Sequence, residues 1–388
     1  MLPVALIPLG FEPKTPSLTG SKEGGRFIYE LCDDYIFITY MQGTVTNSKR
    51  IEYIDSLRGF CMYLVVYAHI CGYGYHMDSP HSFHHILVNF YLVLFFFVSG
   101  FVAYKKDVQW TGETIGKLLQ RKFVQLIIPS VVFCFLFCIY DHHSFNPLWH
   151  VSTSWYWFTV QLFLFFLFYY LIMMVTRNTS ESTKDFSLIA VAVILYLLSH
   201  SHVLFERTQV GTTLFSYLGM EKWRLFVFFC IGVLMRKHFE MVKRWINNPI
   251  VMAVIIVIFF MMVFFADRIT YRLLEPFKSL VYGGASIFVI FSFFYKYQDS
   301  FSQEKHFGRV MQYIGRRTLD IYMIHYFLLP YHLDFMGKWF TANPNPTVEF
   351  FITTTIAAMV IALSVVIGNI IRLSPTLSYY LMGGKNNR

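Results

Sequence analysis

Beyond residue 50 the chain alternates between long apolar runs and short polar stretches. The runs cover roughly residues 54–74, 86–104, 123–140, 155–175, 186–199, 223–235, 250–266, 280–297, 319–333 and 348–371. A helix that crosses the bilayer needs about 20 mostly apolar residues. The pattern therefore predicts an all-α, polytopic integral membrane bundle with about ten transmembrane helices. Two runs are weak: 186–199 is short, and the next has only eleven uncharged residues between Arg224 and Arg236. Runs of that length are often re-entrant or interfacial. Without this pair eight crossings remain, and the termini still share a side.

Residues 1–48 contain no run of spanning length and no signal-peptide cleavage site. They read as a polar N-terminal extension, either a loose cytoplasmic tail or a stretch upstream of a true start at Met41. The membrane domain is expected at 49–388. No tandem or inverted repeat is visible, which disfavours the common secondary-transporter folds.

Charge sets the orientation. With Lys49 and Arg50 in the cytoplasm, and counting from Lys49 onward, 22 Lys and Arg fall on the cytoplasmic side and seven on the outer side. The positive-inside rule reads that bias as both termini cytoplasmic. Composition agrees: only 14% of residues are charged, against about a quarter in soluble domains. A net charge of +9 invites a nucleic-acid partner, but the cations sit in short clusters between apolar runs. The expected surroundings are a lipid bilayer, with no nucleic acid. Short loops and the lack of a signal peptide suit a bacterial inner membrane. The six cysteines form no C-x-x-C pair, so neither a disulfide framework nor a zinc site is expected.

The first run opens with Asp55-Ser56-Leu57-Arg58-Gly59 and continues to Ala68-His69. Arg58 and His69 are three helical turns plus about 20° apart, so they share a face, and about 16 Å separates them along the axis. One reaches the cytoplasmic surface while the other sits deep, where an ionisable residue is costly and marks function by default. The bland alternatives are an Arg58 that snorkels beside Asp55 and a His69 that hydrogen-bonds a neighbouring helix. Ser99-Gly100 at the end of the second run permits close backbone approach; a nucleophilic Ser99 lacks an adjacent base. Lys105, Lys106, Lys117, Arg121 and Lys122 form a cytoplasmic basic cluster, suited either to phosphates or to plain topology signalling.

In the ninth run Asp320 and His325 diverge by about 140° and should serve different neighbours. Asp320 reads as a structural hydrogen bonder and His325, lying deeper, as a support for the site. Ten histidines, among them His76, His84, His85, His142 and His332, fall on the outer side. None shows helical metal-ligand spacing with a carboxylate, so no metal is expected; polar loops or an acceptor pocket fit better. Arg268, Arg272 and Glu275 are either glycan contacts or a solvated loop.

Taken in order, Asp55-x-x-Arg58-Gly59, Arg58-x10-His69 and Phe95-Phe96-x-x-Ser99-Gly100 resemble the acyltransferase-3 family of membrane O-acyltransferases. So do Trp157-Phe158, Ile231-Gly232 and the stretch from Arg317 to His325. The resemblance spans about 51–371. It implies ten helices and transfer of an acyl group, usually acetyl, from cytosolic acyl-CoA to hydroxyls of a surface or exported glycan or glycolipid. It also makes His69 the essential histidine and Arg58 the essential basic residue. The family often has Arg-x-x-Arg before the third helix; here Lys122 stands first and Gln125 replaces the second Arg. Lys117, Arg121 and Lys122 are the expected donor contacts. Phe90-Tyr91-Leu92-Val93 departs from the Phe-His-Met-Pro of a sugar-modifying subgroup. The competing readings are a transporter or exporter that uses Arg58 and His69 for substrate or proton binding, and an acyl-CoA sensor without turnover.

Overall fold

In the computed structural model, residues 50–77, 82–141, 145, 154–200, 219–269, 271 and 274–383 are described. The 1–48 extension lies outside them, as do His81, His142, His143, His150, His202, Arg207 and Arg272. All ten apolar runs coincide with helices, and no strand occurs among the described residues.

Helix α1 (Glu52–His69) continues through a π-helical turn, Ile70–Gly74, and α2 (Phe83–Val88) leads into α3 (Tyr91–Ala103). Helices α4 (Gly112–Lys122) and α5 (Ile128–Tyr140) form one rod interrupted by a π turn, Phe123–Ile127. Then come α6 (Trp157–Val175), α7 (Glu181–His200), a 3-10 turn (Met220–Leu225) and α8 (Phe226–Lys237). Helices α9 (Phe239–Asn247), α10 (Pro249–Phe265), α11 (Glu275–Lys296), α12 (His306–Arg316) and α13 (Thr318–Ile324) follow. Beyond a second 3-10 turn (His325–Leu328) lie α14 (Asp334–Ala342), α15 (Pro346–Ile371) and α16 (Pro375–Leu381).

Seven segments are long and apolar enough to cross a membrane: Phe83–Ala103, Gly112–Tyr140, Trp157–Val175, Glu181–His200, Pro249–Arg268, Glu275–Lys296 and Pro346–Ile371. The protein is a multi-pass integral membrane protein. The short 186–199 run belongs to a full 20-residue helix, because its polar first turn lies outside the apolar pattern. Three helices depart from the spanning pattern for identifiable reasons. α1 places Glu52, Asp55 and Arg58 in its first two turns, α8 has 12 residues, and α13 has only seven before it tightens into the 3-10 turn. These three carry or brace the site described below. By contrast α10 is apolar all round and buries only Met252, as expected of a helix bathed in lipid.

Two helix pairs are in backbone contact through glycine. A Cβ on Gly59 of α1 would strike the Met311 carbonyl of α12, and one on Gly315 of α12 would strike the Asp55 carbonyl. Likewise Gly100 of α3 abuts the Phe229 carbonyl of α8, and Gly232 of α8 abuts the Phe97 carbonyl. Small residues permit such approach, and in a bilayer this packing replaces the hydrophobic drive of a soluble core. Because both partners of each pair use glycine, neither can slide without losing the fit. Gly232→Leu should force α3 and α8 apart, a change that typically costs about 1–3 kcal/mol or more. Thermal unfolding in detergent checks it: Gly232→Leu is expected to lower Tm clearly, whereas Gly284→Ala, with nothing within 4 Å of the added carbon, should leave it in place.

Candidate active site

Two cavities lie end to end inside the bundle. The first, about 360 Å³, is lined by Arg58, Lys122, Arg316 and Arg372, together with Ser99, Gln125 and Thr318. Arg58 donates to the Thr318 hydroxyl at 3.2 Å and lies 3.6 Å from Asp55. Arg372 grips Asp320 with two short bonds, 2.6 and 2.7 Å, while Arg317 approaches the same carboxylate at 3.3 Å. Lys122 stands over the Phe166 ring at 4.1 Å. Among the described residues neither Lys122 nor Arg316 is paired with a carboxylate. Two guanidinium groups on one aspartate leave a further positive surplus, so the cavity suits a polyanion.

The second cavity, about 300 Å³, is lined by His69, Tyr73, His84, Tyr91, Trp157 and Tyr326, with further apolar side chains. Phe95, Phe158 and Tyr322 line both cavities. Their rings pack at centroid distances of 5.0 Å (Phe95–Phe158) and 5.5 Å (Phe158–Tyr322), and they form the wall between the two spaces. The start of α6 is tied to α13 at this wall. Tyr156 donates its hydroxyl to the Met323 carbonyl at 3.0 Å, and Tyr322 donates to the Trp155 carbonyl at 3.2 Å.

His69 is half-buried at the end of α1, and its Nδ1 lies 2.8 Å from Nε2 of His325. The two rings are nearly parallel, 11° apart, and Tyr326 packs against both. His325 is fully buried, and its Nδ1 faces the carbonyls of Tyr322 (2.8 Å) and Ile321 (3.0 Å). His69 Nε2 has no protein partner among the described residues, and His69 lines the cavity. Such a nitrogen can take a proton from a hydroxyl brought into that space. His69 and Lys122 each immediately precede a π turn, and His325 opens a 3-10 turn. Departures from α geometry of this kind are frequent at functional sites.

Of the expected donor contacts only Lys122 lines the basic cavity. Lys117 points away and pairs with Glu113 at 2.7 Å, and Arg121 is exposed. Arg58 and His69 share a face of α1 but serve different cavities. Asp320 and His325 do face different neighbours: Arg372 for one, His69 for the other. Ser99 donates to the Phe95 carbonyl at 2.9 Å, a bond within its own helix. Gly100 lies at the α3–α8 contact. Of the outer histidines His84 lines the second cavity, whereas His85 pairs with Asp267 and His76 with Asp334. Arg268 sits over Phe265 and Glu275 pairs with Lys278; neither reaches the cavity. Among the described residues no group of three His, Cys, Asp or Glu converges as a metal would require. Sequence reasoning missed Arg316, which reaches the cavity from a separate helix, and missed the His69–His325 bond, whose halves are 256 residues apart.

A spanning helical bundle with a histidine at one cavity and unpaired cations in the cavity behind it defines a two-sided membrane site. The acyltransferase-3 profile, an acyltransferase domain, matches residues 51–368. The chain belongs to that family and is a membrane acyltransferase. Neither the curated proteins nor the solved structures include a significant match.

The Asp320–Arg372 pair yields a stability prediction. Asp320 is almost completely buried, and removing one partner of a buried pair typically costs about 3–5 kcal/mol. Arg372→Ala should therefore lower thermal stability in detergent sharply. Lys117→Ala, which breaks an exposed pair worth about 1 kcal/mol or less, should barely move it.

Proposed function

We propose that this protein moves an acyl group, with acetyl expected, from cytosolic acyl-CoA to a hydroxyl of a surface or exported glycan or glycolipid. In this reading the bundle crosses a bacterial inner membrane ten times with both termini in the cytoplasm. One observation carries the proposal: a cavity ringed by cations and a cavity holding His69 lie back to back, divided by Phe95, Phe158 and Tyr322. A CoA thioester has that same polarity, with several phosphate charges at one end and the reacting carbonyl at the other.

Arg58, Lys122 and Arg316 receive the phosphates from the cytoplasmic side. Arg316 supplies the charge that Gln125 does not: Lys122 and Gln125 both line this cavity, and Arg316 reaches it from α12. The arm of the donor then follows α1 for the roughly 16 Å between Arg58 and His69, and its thioester passes the aromatic wall. An acceptor hydroxyl enters the second cavity. His69 Nε2 takes the hydroxyl proton as the oxygen attacks the thioester carbonyl. A C–O bond forms, the C–S bond breaks, and the leaving thiolate receives the proton from His69.

The test uses purified protein and radiolabelled acetyl-CoA, reading donor binding and release of free CoA. Wild type is expected to do both. His69→Ala should bind the donor yet lose on the order of 10²–10⁴ in rate, and a His69→Ala that keeps full activity overturns the assignment. Lys122→Ala and Arg316→Ala should each weaken donor binding roughly tenfold or more, since a hydrogen bond to a charged group contributes about 1.5–3 kcal/mol. Ser99→Ala should remain active, because its hydroxyl is committed to its own helix.

A further inference from the structure

The contact between His69 and His325 is informative because its hydrogen positions can be deduced. A carbonyl oxygen only accepts, so His325 Nδ1, held 2.8 and 3.0 Å from two carbonyls, carries a hydrogen. A neutral imidazole has one N–H, which leaves His325 Nε2 as a bare acceptor. The nitrogen 2.8 Å away, His69 Nδ1, must then be the donor. A second hydrogen on His325 would create a cation at a position with no solvent exposure, and such a charge needs a partner. Asp320, the acidic residue of α13, is already held by Arg372 and Arg317.

We propose that His325 is the positioning residue for His69, fixing it in the tautomer with hydrogen on Nδ1 and a bare Nε2 toward the cavity. This rests on the reading of His69 as the base. The local structure explains how His325 performs the task. α13 stops at Ile324 and tightens into the 3-10 turn; the Ile321 carbonyl accepts the His325 N–H, and its second lone pair is open to a side chain. A histidine just past a helix end can donate to carbonyls of the last turn, and that bond holds the ring. Tyr326 packs on the same ring with centroids 4.2 Å apart, and His69 lies parallel to it. When His69 accepts the hydroxyl proton its ring becomes cationic, and the Nδ1–H bond to His325 strengthens. When the proton passes to the thiolate the original tautomer returns. His325 cannot carry the proton onward, because its far side faces only carbonyls.

The test combines kinetics with a direct view of the ring. In ¹⁵N-histidine-labelled protein, the His69 signals are those absent from His69→Ala. At neutral pH wild type is expected to show His69 with a protonated Nδ1 and a bare Nε2. His325→Phe keeps a buried ring without an acceptor. It should let His69 populate the other tautomer and reduce kcat on the order of 10²–10⁴-fold, the scale seen where a catalytic histidine loses its orienting partner, with KM for acetyl-CoA little changed. His325→Gln, whose amide oxygen accepts in place of Nε2, should restore the tautomer and much of the rate. A wild-type His69 with hydrogen on Nε2 overturns the proposal whatever the activity. So does a His325→Phe that loses rate with the His69 tautomer unaltered. Absence of acetyl-CoA cleavage by wild type instead defeats acetyl-CoA as the donor in the proposed function and leaves the tautomer reading to stand or fall on the spectrum.

Discussion

Hydrocarbon offers no hydrogen bond, so each polar group carried into the bilayer must find its partner inside the protein. That constraint accounts for most of what positions this site. Asp320 is tolerable at depth because Arg372 meets it with two bonds, and Gly368 of α15 makes room: a Cβ there would crowd the aspartate at 3.1 Å. The cost of burying one carboxylate thus docks α15 against α13. Glu349 works similarly at the opposite end of α15. It accepts from the Tyr67 hydroxyl and the Phe83 N–H, both at 3.4 Å, and so ties α15 to α1 and to the start of α2, next to His84. The third case is the pair of histidines. Each answers a polar demand of the other, and together they set which nitrogen is free.

The same constraint explains how much could be read from the sequence. Lipid-facing helices announce themselves by composition, and every apolar run proved helical. Arg58 and His69 could be placed on one face of α1 because periodicity within a helix is local. What periodicity cannot show is which distant residue completes a polar pair. His325 was legible as deep and polar, but its partner lies 256 residues earlier in the chain. The basic residues show the limit most sharply. Arg121 and Lys122 are neighbours in sequence, yet one residue is about 100° of helix. Lys122 therefore faces the cavity, and Arg121 does not. Arg316 arrives only because Gly59 and Gly315 let α12 lie directly on α1. Gln125 leaves the cavity-lining stretch after Lys122 short of a charge, and only the tertiary contact shows that a cation from another helix lines the same cavity.

The arrangement also discriminates between chemistry and transport. A proton relay needs groups that can both accept and release a proton in series. From His69 the path reaches His325 and ends at the carbonyls of Ile321 and Tyr322, neither of which can take a proton. The pair can hold a hydrogen in place but has nowhere to send it, whereas a base that must accept a proton and return it to a leaving group needs no exit. The aromatic wall points the same way. Phe95, Phe158 and Tyr322 divide the cavities where a permeation path would have to be open in alternation, and the helices carrying two of them are restrained. α3 is locked on α8 by reciprocal glycines, and Tyr322 is hydrogen-bonded to the Trp155 carbonyl. In the proposed reaction a wall held in this way has to admit only the narrow thioester arm of the donor, and it is poorly built for carrying a whole substrate through.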